Sequence, residues 1–407
     1  MTSLAHSARL AAIILVVAVS IWDSGRRALA SVVAPTNPEL ALSVLPSSAA
    51  ARVAEFDRAL VQVQRSSRPA VPIDKIGKLP KESLRQEPIS ARAVRQLGIL
   101  AEMEGKKGQA LTFMVLSHRL SRRDFLARLW LIEHEVSRNN VESTLRHYDI
   151  ALRTNADNRA LLFNQLVSAL DEPALRTSVG RLLARRPPWA EQFVYHAVTS
   201  SPQTRYVSDM LVASGNLADT TSDDETKRQM LIRLHEQSEF DAMRRFYLAL
   251  PGARREQMVS LSFREDKTAP KAPPVTWEAF QTGRVEGVFA TDPESGAVSL
   301  RAYAGPSERG LAARKILFLG PGRYRVNVRA AFESMPADGA GWLVATCVEG
   351  GNRAEFWRGN LRNPANWTAI VVPSSCPFQE FAIEAAGGGG QSGGEFSVSQ
   401  VRIGKLS

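Results

Sequence analysis

The chain is 407 residues long, with 44% apolar residues and a formal net charge of +10. That length has room for two or three domains, and the apolar fraction is ordinary for a globular protein. The basic excess points to acidic partners, but the arginine pairs at 122–123, 185–186, 244–245 and 254–255 are dispersed with few aromatics between them, which argues against nucleic acid.

Leu10 to Trp22 is an apolar run, preceded by Arg9 and followed by Asp23, Arg26 and Arg27. It is shorter than the ~20 residues that a spanning helix wants, although Ala5 to Ala8 extend it. Ala28-Leu29-Ala30 has the small-x-small pattern of a cleavage site. Residues 1–30 therefore read as a retained signal-anchor or, alternatively, a cleaved signal peptide. Residues 31–47, rich in Pro, Ala and Ser, read as a tether. A helix is expected from Ser48 to Gln64. Residues 65–88, with Pro69, Pro72, Pro80 and Pro88, read as a loop.

From Ala91 the apolar positions recur at helical spacing. Val94, Leu97 and Ala101 share one face, and Ala110, Met114 and Ser117 share another. Gly105 and Gly108 bracket the turn between them. Thirty-four positions after Ser117 stands Ala151, in a second copy carrying Leu131 and Tyr148. A weaker copy runs from Met230 to Leu250. The pattern resembles the tetratricopeptide repeat, whose period is 34 residues. The resemblance implies stacked helical hairpins over residues 48–262 that bind partner proteins, with Ala110 and Ala151 buried where paired helices cross.

Residues 263–274, "FREDKTAPKAPP", read as a linker. Beyond it the period changes from 3.6 to 2. In "YRVNVRAAF" Tyr324, Val326 and Val328 alternate with Arg325, Asn327 and Arg329, which makes one face apolar. Eight candidate strands lie between Val298 and Ile403, so residues 275–407 read as an antiparallel β-sandwich. The strand pattern, the "LGPGRYRV" turn and the closing "EFSVSQVRI" strand resemble jelly-roll carbohydrate-binding modules. That resemblance implies glycan binding. Trp342, Trp357 and Trp367 are the rings that would stack on sugar, with Arg358 and Asn360 beside them. The alternative is that these rings fill the sandwich core.

Cys347 and Cys376 are the two cysteines of the chain. Behind an export signal they are expected to form a disulfide, the alternative being two buried thiols. The six histidines all precede Lys271 and form no metal-ligand spacing. No nucleophile elbow or P-loop occurs, so no catalytic residue, metal or cofactor is expected. The fold class expected is multidomain α plus β: a membrane helix, a tetratricopeptide-like helical domain and a carboxy-terminal sandwich. Together the two resemblances imply a non-enzymatic envelope scaffold in assembly or export of surface polysaccharide. Its partners would be envelope proteins, acidic polysaccharide and the membrane, with the body in the periplasm behind a single inner-membrane pass, or the whole chain secreted if the signal is cleaved. The second reading is a polysaccharide hydrolase or lyase, for which Glu333, Glu349 and Glu355 supply carboxylates.

Overall fold

The computed structural model describes residues 2–65, 76–215, 217, 224–263, 270–294, 296–349, 351–364, 367, 369–390 and 393–406, with side chains from Ile13 onward except those of Gln64 and Arg65. Among the described residues helices succeed one another to residue 249 and strands follow from residue 278, as the change of period predicts. The chain divides into two compact units, residues 1–159 and 160–407. That division falls inside the helical region and not at the expected linker.

In the first unit α1 (Thr2–Val33) continues unbroken past Ala30. Ala30 and Ala34 are buried with Ala41 and Ala51. The expected tether is instead a packed element, α2 (Pro38–Val44). Asn37 caps it by accepting from the Leu40 N–H, and Pro38 opens its first turn, a position where proline costs nothing. α3 (Ala49–Arg65) follows as expected. The expected loop contains a further helix, α4 (Lys78–Gln86), whose Pro80 sits in the first turn; residues 66–75 of that stretch lie outside the described residues.

Two hairpins come next: α5 (Ala91–Met103) with α6 (Lys107–Leu120), then α7 (Phe125–Ser137) with α8 (Val141–Thr154). Their first helices start 34 positions apart, and so do their second helices. Ala110 and Ala151 are fully buried, and the Ser117 hydroxyl crosses to the Ala91 carbonyl at 2.9 Å. Buried polar groups tie the hairpins together. Arg95 meets Asp124 at 2.7 Å. The fully buried Arg128 guanidinium lies between His147 Nδ1, at 2.5 Å, and His118. Burial first, then the Arg128 charge, pushes both imidazoles down to about 4, so they stand neutral and accept from the guanidinium.

The second unit opens with α9 (Arg159–Ser168), α10 (Pro173–Leu183), α11 (Ala190–Ser200), α12 (Thr204–Ala213), α13 (Asp224–Glu236) and α14 (Phe240–Ala249). α10, α12 and α14 pack in succession as one layer, while α11 packs on α13 as the other. Leu261 and Phe263 then enter the core of the sandwich, where Phe263 meets the rings of Trp277 and Phe289. The start of the expected linker is thus a core element; residues 264–269 lie outside the described residues.

Eleven strands form the sandwich among the described residues: β1 (Glu278–Ala279), β2 (Gln281–Thr282), β3 (Val285–Thr291), β4 (Val298–Ala304), β5 (Arg309–Leu317), β6 (Gly322–Ala331), β7 (Ala340–Glu349), β8 (Asn352–Asn360), β9 (Ile370–Val372), β10 (Gln379–Ala386) and β11 (Gly394–Lys405). One sheet has the order β1-β5-β10-β7-β8 and the other β2-β3-β4-β11-β6-β9, all pairs antiparallel. Leu300, Leu343, Phe381, Ile383, Phe396 and Val398 fill the space between them. Cys347, near the end of β7, is bonded to Cys376 in the loop before β10, with Cα atoms 5.5 Å apart, as expected. Among the described residues one charged side chain lies in this interior. Lys315 alternates with the outward Arg314 on β5, stands opposite Phe381 and is 1% exposed.

Candidate functional site

The outward face of the first sheet holds three of the five residues expected to bind glycan. Antiparallel register places Glu384 of β10 and Asn360 of β8 on either side of Trp342 in β7, with Arg358 opposite the next outward residue, Val344. Trp342 is half-buried. The Arg309 guanidinium lies 4.7 Å from its ring centre and that of Arg358 lies 5.8 Å away, both within cation–π range.

These arginines are themselves held. Glu384 accepts from Arg309 at 2.8 Å and from Arg358 at 2.9 Å. Glu355 accepts from Arg358 twice, at 2.8 and 2.6 Å. Hydrogen bonding from Arg358 holds the Glu355 carboxyl below the usual carboxylate range. Burial alone would raise the Glu384 carboxyl, but hydrogen bonds from Arg358 and Arg309 outweigh it and lower it too. The bonds to Glu355, and then to Glu384, raise the Arg358 pKa. Two guanidiniums and two carboxylates therefore cancel around the ring.

The other two rings lie apart from Trp342. Trp357 and Trp367 are half-buried and pack against the sandwich core, edge to face with centres 5.0 Å apart. Trp367 Nε1–H donates to the Asn360 carbonyl at 2.9 Å. The pair rests on Gly359, where a Cβ would meet both rings at 2.5–2.6 Å. A one-residue alternation along β8 turns Trp357 inward and Arg358 outward, so the five residues do not form one site.

The other end of this face is closed by helices. The ring of Phe240 on α14 lies 5.1 Å from that of Phe378. His235 of α13 is 7% exposed, and its Nε2 meets Glu380 Oε2 at 3.3 Å. Arg353 holds the other oxygen of Glu380. Burial alone would raise the Glu380 carboxyl; the hydrogen bond from His235 and the charge of Arg353 lower it instead. Sequence reading missed Arg309, Glu384, His235 and Glu380, because they meet only through sheet register or across a separation of 145 residues.

Glu333, Glu349 and Glu355 are exposed: Glu333 lies past the end of β6, Glu349 is the last residue of β7 and Glu355 is on β8. Among the described residues no group of three His, Cys, Asp or Glu side chains is placed to hold a metal ion.

The first unit offers a second surface. Ile13, Ile14, Leu15, Val16, Val17, Val19, Ile21 and Trp22 are each 51–70% exposed. Beside them a groove of about 940 Å³ is lined by Ala18, Ile21, Trp22, Arg26, Leu29 and Val44. Among the described residues no helix is long and apolar enough to cross a membrane. Asp23, Arg26 and Arg27 end the run, and the side chains of Leu10 to Ala12 lie outside the described ones. The fold therefore lends no support to the expected spanning helix.

No protein-family model matches the chain, and no curated protein matches it. Fold and surfaces define a two-part α plus β protein, helical hairpins followed by a two-sheet antiparallel sandwich.

Proposed function

We propose that this protein is a non-enzymatic binding scaffold of the cell envelope. α1 embeds its apolar end in lipid, the helical hairpins hold partner proteins in the manner of tetratricopeptide repeats, and the sandwich serves as a glycan-binding module. The observation that carries the reading is the exposure of apolar side chains on every side of α1 from Ile13 to Trp22. A helix apolar all round needs cover from every direction. A coiled-coil partner covers one seam and leaves the rest to water, whereas lipid covers the whole circumference. Helical geometry carries the run from Leu10 to Trp22 roughly 20 Å into a hydrocarbon layer of about 30 Å. Arg26 and Arg27 would then stand at the headgroups.

Two further features support an envelope location. The Cys347–Cys376 disulfide suits an oxidising compartment. Ala30 belongs to a buried alanine cluster within an unbroken helix, which favours retention of α1 over cleavage after that residue.

The enzymatic alternative needs one carboxyl kept protonated as an acid, with a raised pKa. Glu355, Glu380 and Glu384 are all shifted downward by cationic partners, which supports binding over glycoside hydrolysis. Incubating the full chain with polygalacturonate or alginate and following polymer mass by light scattering tests this. The mass is expected to stay constant over many hours. A falling mass would overturn the non-enzymatic reading.

A further inference from the structure

The exposed face of the second sheet has a charge pattern unlike that of the first. On β6 the buried Tyr324 and Val326 alternate with exposed Arg323, Arg325, Asn327 and Arg329. Register places Arg402 of β11 beside Asn327, and Gln400 beside Arg329. Arg301 of β4 stands beside Ser397 of β11. All five arginines are exposed, and among the described residues none makes an ion pair or a side-chain hydrogen bond. On the first sheet, by contrast, Arg309, Arg314, Arg353 and Arg358 each hold a carboxylate. The outward acidic residues of the second sheet, Glu286 and Glu395, flank Tyr303, at the end of β11 remote from Arg402. The face is therefore polarised, with four uncompensated guanidiniums gathered on β6 and β11.

Like charges set side by side on a sheet destabilise it, and a fold that already pairs its other sheet's arginines does not need them for stability. Outward residues on one strand recur about every 7 Å, so Arg323, Arg325 and Arg329 form a row of fixed direction, with Arg402 on the adjacent strand. Such a row suits a chain that repeats its negative charge. Guanidinium binds carboxylate through two parallel hydrogen bonds, and the amides of Asn327 and Gln400 lie between the arginines to meet hydroxyl groups. Single-stranded nucleic acid would want stacking rings among the cations, and the ring on this face, Tyr303, lies at its acidic end. Insertion into a membrane would rest on Val288 and Val371, a small apolar area.

We propose that this face of the second sheet, centred on Arg323, Arg325, Arg329 and Arg402, binds an anionic polysaccharide carrying carboxylates. The inference rests on the reading of the sandwich as a glycan-binding module and moves the contact from the tryptophans to the opposite sheet.

The test uses the full chain against immobilised polygalacturonate, with dextran as neutral polymer and duplex DNA and phosphatidylglycerol vesicles as competing anions. Wild type is expected to bind polygalacturonate, and more weakly as salt rises from about 50 to about 500 mM. The double variant Arg325→Glu/Arg402→Glu should lose at least about tenfold in affinity, the scale set by losing charge-assisted hydrogen bonds. It should melt like wild type, since both side chains are exposed and unpaired. Trp342→Ala should bind as wild type does. Loss of binding in Trp342→Ala with full binding in the arginine variant would overturn this inference and leave the glycan-binding reading standing. Binding to none of the polymers would sink both. Arginine-dependent binding that is tighter to DNA or to the vesicles would overturn the assignment of ligand class.

Discussion

Lys315→Met is expected to stabilise the protein by roughly 3–5 kcal/mol at neutral pH, the scale of a shift of this size in a buried group. Lys315 is 1% exposed in the sandwich interior, and burial pushes its pKa down to about 7 from 10.5. No ion-pair partner compensates it among the described residues. A methionine of similar length keeps the stem's packing and removes the desolvation penalty. The sign of the pH dependence follows from the lowered pKa. Between about 7 and 10.5 the unfolded chain binds the proton and the folded one does not, so stability rises with pH across that window. Below about 7 both states are protonated and the penalty is constant and maximal. Urea melts of both proteins across this window should therefore show the variant's advantage greatest near neutrality and shrinking towards the alkaline end. Parallel pH profiles would refute the assignment of the penalty to Lys315.

Loss of the Cys347–Cys376 bond is expected to cost about 3–4 kcal/mol, from the entropy of a loop with a sequence separation of 29. The bond also fixes a buried junction. The Gln379 side chain donates to the Cys376 carbonyl at 2.5 Å and accepts from the Leu319 N–H at 2.8 Å, so the loop before β10 is tied to the end of β5. The double variant Cys347→Ser/Cys376→Ser, melted beside the oxidised wild type, reads the effect. A difference near zero would show that the rest of the sandwich already constrains this loop.

The sequence made the change of architecture legible because hydrophobic period survives without knowledge of neighbours. Ala110 and Ala151 are buried, as their helical spacing predicts, and the helices of the first two hairpins start 34 positions apart. The errors fell where composition misled. Residues 31–47 look like a tether, yet Asn37-Pro38 is a helix start, with cap and first-turn proline in register. β3 was missed because Gly287 interrupts its alternation; a Cβ there would lie 2.1 Å from the Ala312 carbonyl oxygen, so the glycine marks a close approach and not a turn. The boundary between the two units was not legible at all. It depends on Leu261 and Phe263 entering the sandwich core and on His235 reaching Glu380. Of the candidate glycan site, Trp357 and Arg358 face opposite ways because neighbours on a strand alternate, but which of them faces outward depends on the register of β8 against β7, with its irregularity at Phe356, and no spacing in the sequence reveals that. The arginine row of β6 was visible as the polar side of its strand. Its neighbours Arg402 and Arg301 needed the pairing of β11 with both β6 and β4.

The claim that α1 holds the protein at lipid is tested most directly by vesicle flotation. Full-length protein would be mixed with vesicles of phosphatidylcholine and phosphatidylglycerol and centrifuged through a density gradient. The comparison is Ile14→Asp/Val17→Asp, at two positions 63% and 51% exposed, where the change leaves the folded body intact. Wild type is expected to float. The variant should remain with the soluble fraction, its partition reduced at least about 100-fold, because each buried carboxylate costs roughly 2.5–3.5 kcal/mol in a bilayer. Wild type that stays at the bottom of the gradient, or a variant that floats equally well, would contradict the account.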